Sequence, residues 1–246
     1  MKGEFLNEKT KAILWRVALE YRKKRKKALL RNNLECEKFR DELCQIKKKA
    51  ISQIESLKEK AIFALKENGI NVFEVKDAKE AREIIEKILK GKTKIIKSKS
   101  NAFNEIEKEG FLADKELIET DLGDFICQIM KEKESHPVLP AIHLTPEEIS
   151  KKIKEKFNED IQASPEKIAD FIRNLLRKKI SEAEAGISGV NVVTADGKIL
   201  ILENEGNISL VSRLPETHII VSGFEKIVEN LDDALKIIKA FRFMFQ

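Results

Sequence analysis

The stretch GISGVNVVTADGKILILENEGNISLVSRLPETHIIVSGF, Gly186 to Phe224, carries the alternation that decides the fold. Residues 189–194 and 198–202 are two β-branched and aliphatic runs joined by Asp196-Gly197, the dipeptide that best tolerates the positive φ of a two-residue hairpin turn, so a hairpin is expected. Directly after it comes the polar cluster Glu203-Asn204-Glu205-Gly206-Asn207, and then a third, nearly all apolar run over residues 218–222. Polar residues at the end of buried strands often line sites. Asn and Gly are also the commonest turn residues, and on pattern alone the turn is the better reading.

Upstream, Ser164-Pro165-Glu166 opens a helix that runs to Ala185 and delivers the chain to this stretch. Thr145-Pro146-Glu147-Glu148 opens another, with a capping box. Before it, Ser135 to His143 places His136 and His143 around a short apolar strand bracketed by prolines. An extended strand would part the two histidines by about 20 Å, so they do not form a two-histidine metal site. Residues 116–120 read as a strand, and residues 124–130 as an apolar run that fits strand or helix. From Gly69 the rhythm is strand, helix, strand: residues 70–75, then 78–89, then 94–97. This predicts a βαβ unit with parallel strands, and ligands of open α/β sheets bind beyond the carboxyl ends of such strands. Lys97-Ser98-Lys99-Ser100 occupies that position. Its ammonium, hydroxyl and backbone N–H groups suit a phosphate or carboxylate, and an exposed basic turn with a serine helix cap fits the spacing equally well.

The first 68 residues are helical in pattern, with no Pro and no Gly between Gly3 and Gly69 and a break at Asn32-Asn33, so two long helices are expected. In the second, Phe39, Leu43, Ile46, Ala50, Ile54, Leu57, Ala61 and Leu65 fall on one stripe, which must be buried against the chain's own body or a second subunit. Arg22 to Lys27 is a dense basic run. Nearby Glu35, Glu37, Asp41 and Glu42 balance it, so it reads as a solvated helix face. Helices over residues 225–230 and 232–245 close the chain, and Phe241 to Phe245 should dock on the body or on a partner.

With 246 residues and 42% hydrophobic content, the chain can bury a full core. The net charge of +5 is too small to argue for nucleic acid, and one Trp with one Tyr leaves little to stack bases on. Three cysteines, none spaced C-x-x-C, suggest neither disulfides nor a zinc or iron–sulfur site, so no metal and no cofactor is expected. The absence of a long apolar run or signal-like start points to a cytoplasmic protein with no membrane span.

Six motifs in order resemble the LUD-domain family, in particular the amino-terminal part of lactate utilization protein B. They are KSKS (97–100), ETDLGDFICQ (119–128), SHPVLPAIH (135–143), GISG (186–189), ENEGN (203–207) and LPETHIIVSGFEKIV (214–228). The resemblance implies an α/β fold like that of ribose-5-phosphate isomerases and CoA transferases, with a mostly parallel sheet and helices on both faces. The helical extension would cover residues 1–68 and the LUD-type domain 69–246. It also implies a link to oxidation of lactate, with a ferredoxin-like segment after the domain in relatives that binds iron–sulfur clusters; here the sequence ends at Gln246, before such a segment. At residues 194–197 relatives usually read A-E-T-G, and Ala195 stands where a Glu is expected.

Two readings follow from the resemblance. In one, a stand-alone LUD protein binds a small anionic metabolite, or a cofactor carrying a phosphate. Lys97, Ser98, Lys99, Ser100, Asn204, Gly206 and Asn207 bind the ligand, and His143 or Glu205 moves protons. In the other, the chain is a non-catalytic assembly subunit that docks on the redox subunits of a lactate-oxidising complex. The residues leave open whether it is an enzyme and whether it forms a homo-oligomer.

Overall fold

The computed structural model describes residues 8–31, 33–107, 111–135, 139–203 and 206–244. The Gly- and Pro-free start is helical throughout, as α1 (Glu8–Arg31), α2 (Asn33–Ser52) and α3 (Ile54–Glu67). Three helices replace the expected two because Gln53 leaves the helical region, with φ −118° and ψ 17°. From Ile46 to Leu65 the stripe is buried except at half-buried Ile54: Leu57 and Ala61 are 2% and 1% exposed. On α1, Arg22, Lys23, Lys24 and Lys26 are exposed.

After α3 come α4 (Ala78–Ile88), β1 (Lys94–Lys97), α5 (Asn101–Ile106), β2 (Glu116–Glu119), α6 (Leu122–Met130), α7 (Pro146–Phe157), α8 (Pro165–Ser181) and β3 (Ala185–Ser188). The chain continues with β4 (Val192–Thr194), β5 (Ile199–Leu200), α9 (Asn207–Arg213), β6 (Thr217–Ile220), a 3-10 turn (Phe224–Lys226), β7 (Ile227–Val228) and α10 (Leu231–Met244). The main sheet has the order β2-β1-β3-β6 with every pair parallel. Its central strands alternate between two apolar layers, the pattern of a sheet covered on both faces. Ile96 and Ile118 pack with Phe125, Ile153, Ile172 and Val211 from α6 to α9. Ile95 and Ile187 pack with Ile85, Leu89 and Phe103 on the α4 and α5 side.

A second sheet, β5-β4-β7, contains the expected hairpin. Its loop is one residue longer than a two-residue turn: Thr194 N–H bonds Lys198 O at 2.9 Å, leaving Ala195, Asp196 and Gly197 between them. Gly197, at φ +81°, takes the left-handed position that closes such loops. The sheet is roofed by the α2–α3 stripe: Leu57, Ala61 and Leu65 pack on Val193, Ala195 and Ile227, while Ile46 joins Val192, Val228 and Ile237 of α10.

Three sequence expectations are corrected, and the run that fits strand or helix is resolved. Residues 70–75 form no strand; Ile70 and Phe73 stay 40% and 54% exposed, and no ladder partner lies beside them among the described residues, so the expected βαβ unit begins only at β1. The apolar run after Asp121 is helix α6, capped by the Asp121 carboxylate accepting from Gly123 and Asp124 N–H. The described part of the expected strand after His136, residues 139–142, is turn, with Ile142 N–H bonded to Leu139 O; His136 itself lies outside the described residues. In addition, the expected helix over residues 225–230 is the short 3-10 turn running into β7.

Because Leu57 is buried between α3 and the second sheet, Leu57→Ala should cost about 2 to 5 kcal/mol in a urea melt. A loss under about 0.5 kcal/mol would show that the stripe contributes no core.

Candidate functional site

The parallel sheet ends its strands together, so the segments that follow β1, β2 and β3 meet at one edge. The Thr120 hydroxyl donates to Lys97 O at 3.0 Å, and Thr120 N–H bonds the same oxygen at 2.9 Å. Asn207, the first residue of α9, places its Nδ2 3.4 Å from the Thr120 hydroxyl. The KSKS turn and the described end of the ENEGN cluster therefore share Thr120, across more than a hundred residues of sequence. Asn204 and Glu205 lie outside the described residues. Gly206, at φ +77°, leads into α9, and a Cβ built on it would meet nothing within 4 Å. Glu203 accepts from both the N–H and the hydroxyl of Ser209 at 2.6 Å, which gives it a capping task.

The four KSKS side chains divide their roles. Lys97 is 3% exposed, and its ammonium lies 2.6 Å from Glu119, 3.2 Å from Glu107 and 3.0 Å from Asn104 Oδ1, with the Phe103 ring 5.2 Å away. Burial works against its charge, but Glu119 and Glu107 outweigh that and hold it above the ordinary lysine range. Burial pushes Glu119 up, against the pull of Lys97. Ser100 caps α5 by accepting from Phe103 N–H at 3.1 Å. It also packs so close to Gly189 that a Cβ there would meet the Ser100 hydroxyl at 2.7 Å, which ties the KSKS and GISG turns together. Lys99 reaches Asp124 of α6 at 3.2 and 3.3 Å and remains partly accessible, with 29% of its side chain exposed. Ser98 is 1% exposed, and its hydroxyl has no partner among the described residues; the same holds for Asn207 Oδ1 and Glu119 Oε2.

Asp124 is the residue that sequence reasoning missed. Burial first, then the charge of Asp121, pushes its carboxyl up to about 7, with Lys99 opposing. The only hint was its place inside ETDLGDFICQ; its pairing with Lys99 needs the β1–β2 register. Burial pushes the neighbouring Cys127 thiol up to about 12, which makes it inert at neutral pH. His143 is held by Ser135 at Nδ1 (2.8 Å) and by Glu132 at Nε2 (2.9 Å), and neither bond reaches the KSKS turn. His218 bonds the Ser188 hydroxyl through Nε2 at 2.8 Å, and burial lowers its pKa. It also lines an apolar cavity of about 550 Å³ between α3, α4 and β6, whose walls include Val72, Ile85, Ile219 and Phe224 and none of the KSKS residues.

Among the described residues no three His, Cys, Asp or Glu side chains gather as a metal site, and no helix is long and apolar enough to cross a membrane. A cluster needs about four thiolates, and this chain has three cysteines, so its own residues do not fit one.

The LUD domain model matches residues 58–244. The chain belongs to the LUD-domain family. Lactate utilization protein B of Bacillus pumilus is 34% identical over 203 residues, covering 80% of this chain and 43% of that protein. Its counterpart in Bacillus subtilis is 41% identical over 175 residues, 67% of this chain and 36% of that protein. An uncharacterized electron transport protein of Escherichia coli, YkgF, is 33% identical over 196 residues, 78% and 41% of the two chains. This LUD chain thus spans about two fifths of the length of these curated relatives. No solved structure matches it significantly. The family match begins inside α3, whose buried face is part of the second sheet's core.

Two outcomes test the electrostatics of this LUD site. Lys97→Ala strands two carboxylates, one of them largely buried, and should cost about 3 to 5 kcal/mol in a denaturant melt, where a loss under about 1 kcal/mol would show the pair to be idle. A carboxyl raised from 3.8 to about 7 keeps its proton in the folded chain where the unfolded chain releases it, so stability falls between about pH 4 and 7 and stays low above. Asp124→Asn removes that penalty. Discounted for solvent screening, the variant should gain on the order of 2 kcal/mol at pH 8 and nothing at pH 4; an equal effect at both would exclude the shift.

Proposed function

We propose that this chain is a LUD-domain protein of lactate utilization that binds a small anionic metabolite at the carboxyl edge of β1, β2 and β3, on a ribose-5-phosphate isomerase and CoA transferase-like sheet. The observation that carries the reading is the pairing of unmet need with reachable charge. Ser98 and Asn207 bury polar atoms that have no partner among the described residues, which costs about 1 to 3 kcal/mol each unless something fills them. Lys99, next to Ser98 in the chain, is a partly exposed cation that reaches Asp124. The names of the relatives supply the metabolite class, and the edge is where open parallel sheets take ligands. In this reading Lys99 makes the charged contact, Ser98 and Asn207 orient the ligand, and Lys97 with Ser100 holds the turn in shape. A phosphate-bearing cofactor offers similar acceptor oxygens and is the competing ligand.

A second reading, an assembly subunit of a lactate-oxidising redox complex, rests on Trp15, Leu19 and Tyr21, which are 62%, 40% and 43% exposed on α1. Large apolar side chains grouped on one helix suit a partner. Co-expression with a cysteine-rich subunit from a neighbouring reading frame tests it, co-elution supporting the docking role.

Titration calorimetry with L-lactate, pyruvate and inorganic phosphate tests the binding site. Lys99→Ala should weaken whichever anion binds by roughly the 1.5 to 3 kcal/mol of a charge-assisted hydrogen bond. Wild-type affinity retained in Lys99→Ala, or no binding of any of the three, would refute it.

A further inference from the structure

The anion site as proposed has a difficulty that its own geometry resolves. Lys99 is already neutralised: both Asp124 oxygens lie within 3.3 Å of its ammonium. An incoming anion would meet a pair of no net charge, with Asp121, Glu134 and Glu119 adding negative potential around Asp124. α7 and α8, which also pack on α6, contribute Ile149, Ile153, Ile168 and Ile172 to the apolar core beside it. Binding an anion there without a change in protonation would put two negative groups on one ammonium in a poorly solvated place.

Resting on the binding reading above, we propose that the Lys99–Asp124 pair makes this a site for a small monocarboxylic acid carrying a hydroxyl donor, taken up together with one proton that stays on Asp124. The protonated carboxyl releases Lys99 to the ligand carboxylate, so that one cation faces one monoanion and the local charge closes. The proton comes from solvent; no bond in the ligand is made or broken. Asp124 is suited to hold it at neutral pH, since burial and Asp121 raise its carboxyl to about 7. The orphaned atoms define the rest of the ligand. Asn207 turns its Nδ2 to Thr120, which leaves Oδ1 as a buried acceptor with no donor among the described residues, and a hydroxyl next to the carboxylate supplies one. The Ser98 hydroxyl, between the two lysines in sequence, donates to a carboxylate oxygen. A 2-oxo acid has no hydroxyl for Asn207, and a dianion such as phosphate leaves an uncompensated negative charge, so both are disfavoured.

Calorimetry of the full chain with L-lactate as the probe, from pH 6 to 9 in pairs of buffers differing in ionisation enthalpy, decides the matter. The expected result at pH 8 is uptake of about one proton per lactate bound, with Kd rising roughly tenfold per pH unit above about 7. Asp124→Asn, which keeps the shape and a donor, should bind lactate with a Kd that is flat across this range and take up no proton. Pyruvate and inorganic phosphate should bind wild type at least tenfold more weakly than lactate at pH 7. Lactate binding with no proton uptake and a flat Kd in wild type would overturn the inference and leave the binding reading standing. So would phosphate or pyruvate binding as tightly as lactate. Failure of all three anions to bind at any pH would remove both. Should Asp124→Asn not fold, the proton count on wild type still decides.

Discussion

Lys97 and Glu119 stand opposite each other across the parallel β1–β2 register, and the rest of the site is built around that pair. Burying an ammonium and a carboxylate is tolerable only where each finds the other and further hydrogen bonds meet the remaining capacity. Glu107 and Asn104 provide these on one side. A slip of β2 by one residue would turn Glu119 to the opposite face and leave Lys97 stranded, so the pair specifies the register as well as surviving in it. With the register set, Lys97 O receives both Thr120 bonds, and Thr120 in turn meets Asn207.

How much of this could be read from the residues varies with how local the causes are. The α3 stripe, the capping box at Thr145 and the hairpin around Gly197 were legible because each depends on neighbours within a few positions. Residues 70–75 alternate like a strand, yet a strand exists only where a ladder partner does, and pattern carries no information about the partner. The same limit hid Asp124. Asp124 looks like an ordinary first-turn helix acid until the β1–β2 pairing brings Lys99 to it. The KSKS turn was found by its position after a strand, but the sequence does not distinguish its two lysines. Burial does: Lys97 lies beneath two carboxylates and Lys99 keeps a path to solvent.

The second sheet gives Ala195, where the resemblance implies a Glu, a place in an apolar core. In this chain Ala195 is 9% exposed and packs with Leu57, Ala61 and Val193 under α3. A carboxylate confined among those side chains would be buried without a partner, at a cost of several kcal/mol. Ala195 therefore fits the packing of this core, and it has no part in the KSKS hydrogen bonds described above. The helical start and the α/β body are joined by the same cluster.

The two faces of the main sheet finish with different electrostatic states at its carboxyl edge. On the α5 face Lys97 is enclosed by three acceptors, and any ligand would have to break a buried ion pair to reach it. By the two-residue alternation of β1, Ser98 belongs to the other face, where Ile96 already packs against α6 and α9. There Ser98 and Asn207 have hydrogen-bonding capacity unmet among the described residues, and Lys99 reaches over to a carboxyl of α6 whose charge is costly to keep. Ligands go where the free protein leaves polar capacity unmet, because there binding supplies hydrogen bonds instead of exchanging them. The turn thus divides its labour: Lys97 and Ser100 are taken up by scaffold contacts, and Ser98 and Lys99 are the residues proposed for recognition.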